Sequence, residues 1–237
     1  MIYLRSLSFY ILYLLSGVLA GLAGCLIGPF LNINNRIKFL SAWPRFANWA
    51  LYKSCEIEVV IEGSENIPNA PFVIASNHQG QWETFFYQYF FFPMTTLLKR
   101  ELLFIPVWGW ALALLRPIAI NRGNPAVALK TALREGEKRI KKGFSVLNFP
   151  EGTRKDPGEI GRYARSGFEL AKKMQVPVLP IVHNSGDCWP AHRFLKFPGK
   201  INLTIGAPVE NIESSAEAAK KMEEWARQKL ELIKLNN

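Results

Sequence analysis

Cysteine is scarce in this sequence, with only Cys25, Cys55 and Cys188 among 237 residues. None is spaced to pair with another or to share a metal ion, which excludes a disulfide framework and a cysteine metal site and fits a reducing compartment. Charge is thin as well. Charged residues make up 20% of the chain against 49% hydrophobic residues, a balance that excludes disorder and leaves room for lipid contact. Acid is the scarcer sign, 19 residues against 29 Lys and Arg, for a net charge of +10. Those bases are scattered, and no helix-turn-helix or zinc-finger pattern accompanies them, so nucleic acid is not the expected partner. An anionic membrane or a phosphate-bearing substrate accounts for the excess more economically. Internal repeats and low-complexity segments are absent too.

From Ser6 to Asn32 charge is missing altogether, and Leu, Ile, Phe, Tyr, Ala and Gly dominate. A bilayer span needs roughly 20 apolar residues, and this run is longer. A cleaved signal peptide is the rival reading, with Leu19-Ala20-Gly21 as its small-residue site, but its apolar region is expected to be only about 7–15 residues. The glycines Gly21, Gly24 and Gly28 suit either a full crossing or entry into one leaflet. The following segment, Ile33 to Cys55, carries Arg36, Lys38, Arg45 and Lys53 and no acid, interleaved with Phe39, Trp43, Phe46 and Trp49. It predicts an interfacial amphipathic helix interrupted near Pro44, with a surface helix packed on the core as the alternative. The basic excess on this side predicts a membrane-bound chain whose bulk faces the cytoplasm.

The length suits one globular domain plus an appendage. We divide it into membrane-anchoring helices over 1–55 and an α/β domain over 56–237. In the latter, short apolar runs alternate with amphipathic stretches, which predicts a single domain with a central mixed sheet covered by helices. Strands are expected near 57–61, 72–76, 96–98, 117–120, 144–148, 178–182 and 201–205. Helices are expected over 126–142, stopped by Gly143, and from Ser214 onward, where Ser214 and Glu217 form a capping box ahead of the stripe Met222, Trp225, Ala226 and Ile233.

Three strand ends carry residues with chemical potential. The segment Ser76-Asn77-His78-Gln79-Gly80-Gln81-Trp82-Glu83 directly follows an apolar strand, the place where ligand sites of α/β sheets collect. With His78 in the loop and Glu83 on the first turn of the next helix, the carboxylate can fold back onto one ring nitrogen and leave the other as a base for a hydroxyl. Alone, that spacing is common and usually structural. Asn148-Phe149-Pro150-Glu151-Gly152-Thr153-Arg154 follows a second strand. There Gly152 permits close backbone approach, Thr153 offers a hydroxyl and Arg154 can grip a phosphate, although the same residues also suit a solvated turn. The third strand end bears Arg122 in Ile120-Asn121-Arg122-Gly123. Two arginines so placed suggest an anion site. His183 and His192 lack a carboxylate at comparable spacing and are read as structural.

Together these segments resemble the glycerolipid acyltransferase family, the 1-acyl-sn-glycerol-3-phosphate (lysophosphatidic acid) acyltransferases. His78 to Glu83 is similar to the first family block, Ile120-Asn121-Arg122 to the second, Phe149 to Arg154 to the third and Val176-Pro177-Val178-Leu179-Pro180-Ile181 to the fourth. Lys99-Arg100-Glu101-Leu102, followed by Pro106 and Gly109, is similar to a further element. The resemblance implies acyl transfer from a coenzyme A or acyl carrier protein thioester, as co-substrate rather than cofactor, to the hydroxyl of lysophosphatidic acid, giving phosphatidic acid for phospholipid synthesis. His78 would then be the catalytic base and Glu83 its orienting acid, with Lys99, Arg122, Glu151, Gly152, Thr153 and Arg154 on the substrate-binding side. No metal is implied. This sequence departs from the family pattern at Glu83, where Asp is usual, and at Gly80, where Ser is usual.

Other lysophospholipid acceptors, a lipid esterase or thioesterase, and a non-catalytic basic lipid-binding protein are the competing readings. The absence of a Gly-x-Ser-x-Gly elbow counts against the esterase.

Overall fold

A computed structural model of the chain describes residues 1–69, 71–121, 123 and 125–235. Among these residues the elements run α1 (Ile2–Ile27), α2 (Ile33–Leu40), α3 (Ala42–Cys55), β1 (Ile57–Glu62), β2 (Val73–Ser76), α4 (Trp82–Phe90), β3 (Met94–Lys99), α5 (Trp108–Leu114), β4 (Ile118–Ile120), α6 (Pro125–Ile140), β5 (Ser145–Asn148), α7 (Ser166–Met174), β6 (Val178–His183), α8 (Ser185–Cys188), β7 (Gly199–Ile205) and α9 (Ser215–Leu235). The strands form one mixed sheet in the order β1-β7-β6-β2-β5-β3-β4. Strands β6, β2, β5, β3 and β4 run parallel. Strand β7 is antiparallel to β6 and carries β1 parallel on its outer edge. Each expected strand is present, and the fold is the α/β architecture the sequence predicts.

The central strands are buried on both faces, which is why they read as unbroken apolar runs. Their side chains alternate between two cores. Ile74, Leu147, Leu179 and Ile181 face a layer built from α1, α3 and α4, including Phe9, Leu51, Trp82 and Phe86. Val73, Ala75, Val146, Val178 and Val182 face α6, α7 and α9, including Ile140, Phe168, Met222, Ala226 and Ile233. Each fully buried Val, Leu, Ile or Phe contributes about 1.5–3 kcal/mol. The two cores together fix the sheet, and with it the relative positions of the strand ends.

Helix α1 lies along the domain for its whole length. Ser6, Phe9, Tyr13, Gly17, Gly21 and Gly24 form its buried stripe at helical spacing. The glycines are there for close approach: a Cβ at Gly21 would come within 2.7 Å of Val107, just before α5, and one at Gly24 within 2.5 Å of Leu40 in α2. At the other end, Arg5 grips Glu56 through two hydrogen bonds of 2.7 Å. The outward face exposes Leu4, Leu7, Ile11, Leu15, Leu19, Leu22 and Leu26. The stretch Ile2–Phe30, of mean hydropathy 2.1, is long and apolar enough to cross a membrane. The interruption expected near Pro44 falls instead at Ser41, between α2 and α3. Pro44 sits in the first turn of α3, where its missing N–H leaves no hydrogen bond unmade.

Candidate active site

The five parallel strands end along one edge of the sheet, so the loops after β6, β2, β5, β3 and β4 stand side by side at spacings of about 4.8 Å per strand. This edge gathers residues far apart in sequence. His78 follows β2, Glu151 to Arg154 follow β5, Lys99 ends β3, and β6 runs into Ser185 at the start of α8. Arg122, expected after β4, lies outside the described residues.

Glu83, in the first turn of α4, folds back onto the loop before it. His78 Nδ1 lies 2.8 Å from Glu83 Oε1, and that same oxygen accepts the backbone N–H groups of Gln79 at 2.8 Å and Gly80 at 2.7 Å. The second oxygen accepts the Ser185 hydroxyl at 3.0 Å. Four donors therefore converge on a carboxylate that is fully buried. Burial alone would raise its pKa, but the hydrogen bond from His78, the electrostatic influence of the His183 and His78 rings and the Gly80 N–H together outweigh it and hold the carboxyl well below the usual carboxylate range. An anionic Glu83 requires a proton on His78 Nδ1, which fixes the tautomer and leaves Nε2 with a lone pair. The imidazole keeps 14% of its side-chain surface exposed. It is stacked on Phe149, ring centroids 4.1 Å apart at 16°, so its plane is set as well as its tautomer.

The loop is held from below. Glu151 accepts the His78 backbone N–H through one oxygen and the Gly161 N–H through the other, each at 2.7 Å. Its carboxylate therefore shapes the site by clamping two loops together. Burial pushes the Glu151 pKa up, an effect partly offset by those two N–H groups. Asn77 ties the end of β2 to the end of β6, donating from Nδ2 to the His183 carbonyl at 2.9 Å and accepting the His183 N–H at 3.0 Å. The His183 ring is buried, with Nδ1 accepting the Ser185 N–H and Nε2 facing the Asn77 carbonyl. That pattern sets a neutral imidazole protonated at Nε2, and burial lowers its pKa in the same sense. His183 is thus a strut behind the dyad.

Ser185 was not legible as a site residue, because nothing local in the sequence links it to a carboxylate 102 residues earlier. Its hydroxyl reaches the second Glu83 oxygen in a chain that carries glycine, not serine, at position 80. At Gly80 a Cβ would come within 2.9 Å of the Trp189 carbonyl, so this loop packs too closely for a side chain there.

Of the remaining predicted residues, Gly152 takes a positive φ of +70°, the left-handed turn that glycine favours. Thr153 and Lys99 are exposed, and Arg154 is half-buried. Arg154 and Gln81 line a cavity of about 290 Å³ together with Tyr10, His192 and Arg193. Lys99 stands on the other side, two strands from β2, and is not among the lining residues. Among the described residues no three His, Cys, Asp or Glu side chains are grouped to hold a metal ion.

The acyltransferase family model matches residues 58–184. The chain is 44% identical over 227 residues to a 1-acyl-sn-glycerol-3-phosphate acyltransferase of Pseudomonas aeruginosa, covering 94% of this chain and 88% of that protein. A 1-acyl-sn-glycerol-3-phosphate acyltransferase of Saccharomyces cerevisiae is 31% identical over 130 residues, which cover 53% of this chain and 43% of that protein. Among solved structures, the lysophosphatidic acid acyltransferase PlsC of Thermotoga maritima superposes with a TM-score of 0.80 at 28% identity, covering 98% of this chain and 95% of that one.

Proposed function

This chain belongs to the acyltransferase family, and from that premise we propose that it moves a fatty acyl group from a coenzyme A or acyl carrier protein thioester to the sn-2 hydroxyl of lysophosphatidic acid, giving phosphatidic acid. The observation that carries the reading is the His78–Glu83 pair at 2.8 Å, with Nε2 of the imidazole left unpartnered among the described residues. Nε2 accepts the acceptor's hydroxyl proton as the oxygen attacks the thioester carbonyl. The tetrahedral adduct then expels the thiolate, which takes the proton from the imidazolium. Glu83 stays ionised throughout and stabilises the transient cation without itself becoming protonated. Lys99 and Arg154 supply positive charge that draws the acceptor's phosphate to this edge of the sheet, and the family resemblance gives Arg122 the same role.

The exposed apolar surface supports a membrane location. Phe30 is 87% exposed and Phe104 71%, and Trp110 in α5 adds to the same end of the molecule, because α5 packs on α1 and on the turn that carries Phe30. A helix that runs along its own domain over its full length enters one leaflet rather than crossing alone, since a full crossing would carry α3, with Arg45 and Lys53, into the bilayer core with it. On this reading the sheet edge sits at the headgroup level on the cytoplasmic side, where lysolipid and soluble thioester meet.

A panel of lysolipids assayed with both thioester donors tests the function. The highest kcat/KM is expected for lysophosphatidic acid, and Arg154→Ala is expected to raise its KM by roughly tenfold or more, as for loss of a charge-assisted hydrogen bond. Equal turnover of lysophosphatidic acid and lysophosphatidylcholine, or no turnover of either with either donor, contradicts the reading.

A further inference from the structure

Beyond β6, residues 189–197 form a loop with an unusual foundation. Lys196 is completely buried, which is rare for lysine. Its Nζ donates to the carbonyls of Arg193 at 2.8 Å, Phe194 at 3.0 Å and Leu195 at 3.4 Å, and sits over the rings of Tyr10 and Trp189 at 4.9 Å and 5.3 Å. Its backbone N–H donates to Ser6 in α1. Phe194 stacks on Tyr10 with centroids 5.1 Å apart at 16°. A buried cation thus fastens this loop to the N-terminal helix and holds the backbone of Arg193 in one place.

Residues of this loop line the cavity of about 290 Å³ to which Arg154 and Gln81 also contribute. Arg154, Arg193 and His192 line it, and no acidic residue does. Neither arginine has an ion-pair partner among the described residues. Gln81 lies within the loop that joins His78 to Glu83, so the cavity adjoins the dyad. Two guanidinium groups without an ion-pair partner among the described residues, one of them on a loop whose backbone is fastened, and a histidine beside them match the oxygen atoms of a phosphate group.

We propose that Arg193 and His192 complete with Arg154 a phosphate-binding subsite beside the dyad, one that recognises a phosphate of a substrate. The assignment rests on the acyl-transfer reading for its two sources of phosphate, the headgroup of the lysolipid acceptor and the nucleotide of a coenzyme A donor. Arg193 is a specificity-determining residue here and takes no part in the proton transfer. Because its side chain is exposed, Arg193→Ala is expected to fold as the wild type does.

The test uses the full-length chain in zwitterionic nanodiscs, comparing wild type with Arg193→Ala and Arg193→Glu. Calorimetry gives Kd for lysophosphatidic acid against phosphate-free monoacylglycerol, and for acyl-CoA against acyl-pantetheine. Steady-state assays give the KM of each substrate. Arg193→Ala is expected to raise Kd and KM for one phosphate-bearing ligand by roughly tenfold, Arg193→Glu by more, with kcat within about twofold and the phosphate-free comparator unaffected. A change confined to lysophosphatidic acid identifies the headgroup, and one confined to acyl-CoA identifies the nucleotide. Unchanged Kd for both ligands, or a fall in kcat alone, overturns the subsite. Failure of the wild type to transfer an acyl group would instead overturn the acyl-transfer reading, while the Kd comparison still tests the subsite.

Discussion

Replacing His78 with alanine is expected to lower kcat for acyl transfer by about 10²–10⁴-fold, the range for loss of a positioned general base, with little change in the KM of either substrate. The KM expectation follows from where the charged side chains are, since Arg154 lines a cavity whose wall does not include His78. Stability should fall only slightly. The interactions that hold the loop are made by the His78 backbone, whose N–H donates to Glu151 and whose carbonyl accepts the Lys155 N–H at 2.8 Å, and alanine keeps both. What alanine removes is one stacking contact with Phe149 and one donor to Glu83. A matched thermal melt therefore separates lost chemistry from lost fold. A variant that melts like the wild type yet turns over at the wild-type rate would remove His78 from the mechanism.

Glu83 variants are expected to show graded losses that fall on stability as well as rate. Glu83→Ala strands four buried donors at once. A buried donor left without a partner costs about 1–3 kcal/mol, so the loss is a large share of a domain's total of about 5–15 kcal/mol. Glu83→Gln keeps an oxygen for the His78, Gln79 and Gly80 donors and can turn its amide N–H toward Ser185, so it should fold. It loses the negative charge that steadies the imidazolium, and kcat should fall roughly 10–100-fold, the difference between a charge-assisted and a neutral hydrogen bond. Glu83→Asp keeps the charge but shortens the reach by about 1.5 Å, and should lie between Glu83→Gln and the wild type. Acid should reveal the same interaction. Because the folded-state pKa is held below the ordinary value of 4.5, the stabilisation is complete above that pH and is lost as pH falls through the lower, folded-state value. The difference in melting temperature between wild type and Glu83→Gln should therefore be full at neutral pH and close on acidification. A difference that widens in acid would contradict the assignment.

The strands were legible because burial on both faces makes them continuous apolar runs bounded by turns. The dyad was legible as a possibility because the spacing from His78 to Glu83 matches a loop followed by the first turn of a helix. Its supports were not. Ser185, His183 and Asn77 reach the site through the pairing of β2 with β6, and a single hydroxyl or amide leaves no periodic signal to mark it. Glu151 carried a visible motif, but only the fold shows that both its oxygens are spent on backbone N–H groups. Lys196 is the sharpest case, since a lysine between Leu195 and Phe197 gives no hint in sequence that its ammonium group will be buried against three carbonyls and two aromatic rings. Short helices such as α5 and α7 leave little sequence signal for a related reason. Their few turns take their order from tertiary contacts, as where Gly109 of α5 is packed so tightly that a Cβ would meet the Leu103 carbonyl at 2.5 Å.

Direct transfer by the dyad makes no covalent bond between protein and acyl group, and that is its most exposed consequence. The decisive measurement mixes the purified chain with a radiolabelled acyl thioester, quenches on the millisecond scale, and follows the label on protein and on lipid, first without acceptor and then with lysophosphatidic acid. No label is expected on the protein at any time, with label on phosphatidic acid only when acceptor is present and loss of that signal in His78→Ala. A burst of acyl-protein formed without acceptor and chased into product would contradict direct transfer.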